Sequence, residues 1–272
     1  MPKDVIRDRK EVKRIKTYIE GFDEHIQGGI PEGFVVLISG LAGTMKSSLV
    51  FNIMYNEALH GKTSLYISLE QSATSLLNHM INLEFSLDKI NVVTINDISK
   101  LQSTLSKIES LKGKGSMIIA DLGAIRKQVT ETKSDENRDW LNVIMNIVKK
   151  VKAAGQLDLF CLDSLSALYV LSRFEEPRGK LFHIFESLRD IEVTSFLISE
   201  MPLNKEKYSE YEVEDYLADG IICLDLAHHQ RKVLREISVI KMRATACNND
   251  VFSFEFSDGK FRALYGGKVP LI

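Results

Sequence analysis

A single strand-to-helix junction restricts the fold more than any other stretch of the chain. The apolar run Phe34-Val35-Val36-Leu37-Ile38-Ser39 breaks at Gly40. Beyond the segment Gly40-Leu41-Ala42-Gly43-Thr44-Met45-Lys46-Ser47-Ser48, apolar residues recur at helical spacing at Leu49, Val50, Ile53, Met54 and Ala58. A run with no polar face belongs inside a sheet, and the periodicity after the turn belongs to a helix packed on it, so the junction is a βα unit. Successive N–H groups of such a turn point inward, and the helix N-terminus adds partial positive charge, which suits a polyphosphate. Lys46 is placed to reach the terminal phosphates, and the Ser47 hydroxyl to ligate Mg²⁺. The usual spacing G-x-x-x-x-G-K-[ST] has glycine just before the lysine. Met45 stands there instead, where glycine would permit strained backbone and close phosphate approach.

The same alternation of β-branched runs and helical patterns continues, which predicts an α/β fold with a mainly parallel central sheet flanked by helices. Strands are expected at 34–39, 64–69, 91–95, 117–120, 157–163 and 194–199, and helices at 46–60, 72–83, 98–111, 136–153 and 179–191. The last quarter differs. Segments 220–226, 234–243, 251–256 and 260–264 follow one another with polar turns, including Ser257-Asp258-Gly259, so the sheet is expected to finish in antiparallel hairpins. Two polar stretches without a period, 126–139 and 202–216, are expected as loops.

Two carboxylates sit where strands end. Leu159-Phe160-Cys161-Leu162-Asp163 places Asp163 as a partner for Mg²⁺, although an aspartate there also suits capping of the next helix. Tyr66-Ile67-Ser68-Leu69-Glu70 brings Glu70 to the crevice at the carboxyl ends of parallel strands, where it would orient or deprotonate water; a helix cap or a surface charge is the plain alternative. Lys241 and Arg243 share one face by strand alternation, which suits phosphate recognition in the same or a neighbouring subunit and equally suits a solvated edge.

Composition limits the remaining possibilities. A chain of 272 residues with 44% hydrophobic and 26% charged residues is large enough for one sizeable core. Its net charge of −2 gives no general case for nucleic acid, and the 202–216 segment carries more acids than bases, so DNA is not the favoured partner. Only the leader, residues 1–17, is basic, through Lys3, Arg7, Arg9, Lys10, Lys13, Arg14 and Lys16; it is expected as a solvated strand or helix ahead of one domain at 18–272. The three scattered cysteines suggest neither disulfides nor zinc, and His228-His229 has no third ligand placed by spacing. No stretch reaches membrane-span length and the first residues lack an apolar core, so a cytoplasmic protein is expected.

These segments together resemble the KaiC-like branch of the RecA-superfamily P-loop ATPases, in particular its single-domain archaeal members. The resemblance runs from about Tyr18 to Leu264. It begins with Gly21-Phe22-Asp23 and Gly28-Gly29-Ile30-Pro31-Glu32-Gly33, passes through the loop at 40–48, Leu69-Glu70, Asp163-Ser164 and Leu197-Ile198-Ser199-Glu200, and closes with Asp219-Gly220-Ile221-Ile222 and Lys241-Met242-Arg243-Ala244-Thr245. It implies a RecA-like fold and ATP with Mg²⁺ as ligands, held by Gly40, Leu41, Ala42, Gly43, Thr44, Met45, Lys46, Ser47 and Ser48. It further implies that Ser47 and Asp163 serve the metal and that Glu70 is the catalytic carboxylate, acting with Lys46. Lys241 and Arg243 would reach nucleotide bound by a neighbour in a homo-oligomer, a ring such as a hexamer. The function implied is a regulatory or switch ATPase with slow Mg²⁺-dependent hydrolysis. A RecA- or RadA-like DNA repair ATPase and a nucleotide-sensing scaffold of the archaellum-associated type are the alternatives. Three residues depart from the pattern: Met45 and Ala244 replace glycines, and Gln71 replaces a second glutamate. The 117-residue spacing from Lys46 to Asp163 is long for this family, which predicts an insertion at 116–140.

Overall fold

Apolar runs become interior strands here because helices cover both of their faces. The structure is a computed structural model that describes residues 12–110, 115–131, 139–155, 157–172, 176–202 and 207–265. The described residues begin with three short strands, β1 (Arg14–Ile15), β2 (Ile19–Glu20) and β3 (Ile30–Pro31). The βα series follows: β4 (Val35–Gly40), α1 (Lys46–Leu59), β5 (Thr63–Ser68), α2 (Ala73–Asn82), β6 (Asn91–Ile95), α3 (Leu101–Ser110), β7 (Ser116–Asp121), α4 (Leu122–Glu131), α5 (Trp140–Ala154), β8 (Leu159–Asp163), α6 (Leu165–Ser172), α7 (Pro177–Asp190) and β9 (Thr194–Glu200). After α8 (Val213–Leu217), the chain closes with β10 (Gly220–His229), β11 (Lys232–Met242), β12 (Val251–Ser257) and β13 (Lys260–Tyr265).

Among the described residues, eleven strands form one sheet in the order β2-β13-β12-β11-β10-β4-β9-β8-β5-β7-β6. The pairs from β10 through β4, β9, β8, β5 and β7 to β6 are parallel, and β10 to β13 pair as antiparallel neighbours. This is the α/β architecture read from the sequence, with its antiparallel ending. Alternation divides the core in two. Val36, Ile38, Tyr66 and Ile198 face α1 and α2, whereas Val35, Leu37, Ile67 and Leu197 face α5 and α7.

Several segments differ from the sequence reading. Arg126, expected in a loop, lies in α4, while 132–138 fall outside the described residues. The stretch expected as an insertion supplies β7, which pairs with β5 on one side and β6 on the other and is therefore integral to the sheet. Within 202–216, α8 begins at Val213, and 203–206 fall outside the described residues. Helix α6 carries apolar residues with little periodicity, a pattern that sequence alone does not separate from a buried strand. Of the leader cations, Lys3, Arg7, Arg9 and Lys10 lie outside the described residues. Arg14 is committed to structure, donating to Gly29 O at 2.8 Å and Thr245 Oγ1 at 3.0 Å.

Candidate functional site

The loop after β4 is held from within. A Cβ on Gly40 would lie 2.2 Å from Leu224 O of β10, so the loop leaves the sheet where a side chain cannot fit. Gly43 has φ +82°, and Thr44 Oγ1 donates to Leu41 O at 2.8 Å across the turn. Met45 has φ 72° and ψ 29°, the left-handed conformation that glycine adopts without penalty. Leu49 N is the amide that bonds back to Met45 O, so the amides of Lys46, Ser47 and Ser48 precede the helix ladder and are free to meet a ligand. Lys46 is 6% exposed; its Nζ donates to Gly40 O and Leu41 O, both at 2.9 Å, and pairs with Glu200 Oε1 at 2.8 Å.

The two sequence-predicted carboxylates meet this loop. Asp163 is 1% exposed at the end of β8 and accepts from the Tyr66 hydroxyl, with the Ser47 hydroxyl close by. Burial pushes its carboxyl above the usual aspartate range, and the Tyr66 and Ser47 hydroxyls oppose that rise. Asp163 does not cap α6; Ser164 Oγ does, accepting from Ala167 N at 3.2 Å while donating to Glu70 Oε1. Nor does Glu70 cap α2, because Ser72 takes that position. Loop, Glu70 and Asp163 border one cleft of ≈ 550 Å³. The neighbouring Ser47 hydroxyl and Asp163 carboxylate are hard oxygen donors, a set that fits Mg²⁺, which is commonly held by one or two protein groups plus phosphates. Among the described residues no group of three or more His, Cys, Asp or Glu could form a metal cage.

The family model for the KaiC ATPase matches residues 15–262. This chain belongs to the KaiC ATPase family. A UPF0273 protein of Thermotoga maritima is 27% identical over 252 residues, which cover 91% of this chain and 94% of that protein. The circadian clock oscillator protein KaiC 1 of Synechocystis is 26% identical over 239 residues, 87% of this chain but 41% of the clock protein. A KaiC-like protein from Pyrococcus horikoshii superposes with a TM-score of 0.69 at 25% identity, over 93% of this chain and 99% of its own. The chain therefore carries a KaiC-type P-loop ATPase domain in a RecA-like fold. No helix among the described residues is long and apolar enough to cross a membrane.

The remaining pair, Lys241 and Arg243, does not border the cleft. Arg243 N bonds to Asp219 O, and Asp219 N bonds to Val35 O, at the start of β4. Five residues of strand, about 16 Å, separate that level from Gly40. Lys241 Nζ donates to the carbonyls of Asp215 and Tyr216, at 3.0 and 3.2 Å, and Arg243 pairs with Asp219 at 2.6 Å. Burial first, and the Arg243 guanidinium second, hold the Lys241 ammonium below the usual lysine range.

In this KaiC-type site sequence reasoning missed three residues that border the cleft. Arg235 lies on the part of the β10–β11 ribbon that runs past β4, and its Nε donates to Gly43 O at 3.2 Å. His79 approaches Ser48 from α2, and Glu200, seen only as part of a strand, closes on Lys46. The tether of Asp163, Tyr66, was also missed. Strand register brings Tyr66, Arg235 and Glu200 to their partners, and local pattern does not reveal it.

Proposed function

We propose that this chain binds ATP with Mg²⁺ and hydrolyses it slowly, as a regulatory or switch ATPase of a homo-oligomeric ring in the cytoplasm. One observation carries the reading: Lys46, Ser47, Glu70 and Asp163, drawn from three different βα junctions, border a single cleft beside the unpaired amides of α1. Lys46 would leave Glu200 for the β and γ phosphates, and the loop amides would cradle the chain of phosphates. Ser47 and Asp163 would hold Mg²⁺, which when bound neutralises phosphate charge. Glu70, oriented by Ser164 Oγ, would accept a proton from attacking water. Lys241 and Arg243 lie too far from their own cleft to serve it, so in this reading they serve a neighbour's nucleotide.

Among the described residues of the segment from β9 to β10, the cation Lys207 pairs with Glu212 at 2.9 Å beside further carboxylates, which does not favour a DNA strand. A nucleotide-sensing scaffold with little turnover is the second reading, favoured by Met45 at the glycine position. The test is phosphate release from ATP with Mg²⁺, with EDTA, and with single-stranded DNA, alongside the mass of the assembly. Release that needs Mg²⁺, ignores DNA and accompanies a multimer is the expected result; ATP binding without release would favour the scaffold, and release that rises sharply with DNA the repair reading.

A further inference from the structure

One residue of the cleft stands away from the groups assigned to hydrolysis. Helix α2 buries Ala73, Leu76 and Met80, which turns His79 outward toward α1. Its Nε2 lies 3.3 Å from Ser48 Oγ, and both residues border the cleft. Ser48 is 3% exposed and is the last residue of α1 whose amide precedes the helix ladder. The charged groups of the cleft gather elsewhere: Glu200 on Lys46, Asp163 on Ser47, Glu70 on Ser164, and Arg235 on Gly43. At the Ser48 end of the loop the serine hydroxyl and the His79 ring meet each other.

We infer that His79 is a nucleotide-binding residue that contacts the α-phosphate. This rests on the reading of the cleft as an ATP site. With the γ-phosphate toward Glu70 and the β-phosphate at Lys46, the third phosphate falls at the amide and hydroxyl of Ser48. An oxygen there comes within reach of the His79 ring, which can donate to it while leaving the hydrolytic groups untouched. His79 therefore sets affinity for the phosphate shared by ATP and ADP.

Calorimetric titration with ATP, ADP and inorganic tripolyphosphate tests the assignment. His79→Ala is expected to weaken all three by a similar factor, about tenfold. His79→Lys, which restores a donor, should recover most of the loss. A loss confined to ATP would place the ring at the γ-phosphate, and one seen with both nucleotides but not tripolyphosphate would place it on the ribose or base; either overturns the inference. So does unchanged affinity, or a loss that disappears in a Ser48→Ala background, where His79 would merely have been propping the serine. Lys46→Ala is titrated in parallel. If it too binds ATP like the parent, the nucleotide site itself is misplaced, whereas loss with Lys46→Ala and none with His79→Ala removes His79 alone.

Discussion

The two ends of β4 are built from opposite materials. At the carboxyl end, Glu70, Asp163 and Glu200 surround a loop whose buried ammonium, Lys46, is already paired. At the amino end, Arg189 and Arg243 both close on Asp219, while Lys241 leans on the last carbonyls of α8. Carboxylates predominate at one end, and at the other three cations gather around Asp219, where burial and the nearby Arg243 guanidinium depress the Lys241 ammonium. On the proposed reading, groups so divided would complement each other between copies. A head-to-tail arrangement that brings the amino end of one chain onto the loop of the next is heterologous, and it closes as a ring if the rotation allows.

The sharpest break in that comparison comes from Glu70→Gln. This should lower ATP turnover by about a hundredfold or more while leaving ATP affinity near the parent value, since a base acts on the water and not on the bound phosphates. Parent-like turnover would return Glu70 to the role of a surface charge. Lys46→Ala comes next, with a loss of about 2 kcal/mol in ATP binding, roughly thirtyfold in Kd by titration. Its counterpart Glu200→Gln should tighten ATP several-fold, because the carboxylate that competes with phosphate for Lys46 is gone; weaker binding would instead make Glu200 part of the ligand's support.

Arg243→Ala addresses the other end. Alone it should keep its own ATP affinity and lose turnover. Mixed with Glu70→Gln it should regain part of the activity, as intact Glu70 from one chain meets intact Arg243 from the other. Mixed oligomers without recovery would confine Arg243 to its own subunit. The smallest expected effect concerns backbone. Ala244, exposed and held at φ 52°, should gain about 1 kcal/mol of stability on replacement by glycine, read in a denaturant melt.

That last position shows what the sequence could and could not convey. The fold was legible because long apolar runs alternate with helical periods, and Glu70 and Asp163 because each directly follows such a run. The loop was legible because glycine, lysine and serine stand at fixed offsets. Arg235 was not, because it meets Gly43 across 192 residues, through a ribbon whose overhang beyond β4 is a property of register. Tyr66 meets Asp163 across 97 residues for a similar reason. The two lost glycines mislead in a different way. Met45 and Ala244 read as departures, yet both keep positive φ, at 72° and 52°. What persists at these sites is a backbone angle, held against side chains that disfavour it.

The length of β4 has a consequence for behaviour in solution. If Arg243 serves a neighbour's nucleotide as proposed, then with the phosphate loop at one end of the strand and Arg243 at the other a solitary chain would be half of a machine twice over. On the proposed assignment, specific activity is then a function of how crowded the molecules are: it climbs with dilution reversed, falls away below the dissociation constant of the assembly, and makes abundance itself the throttle.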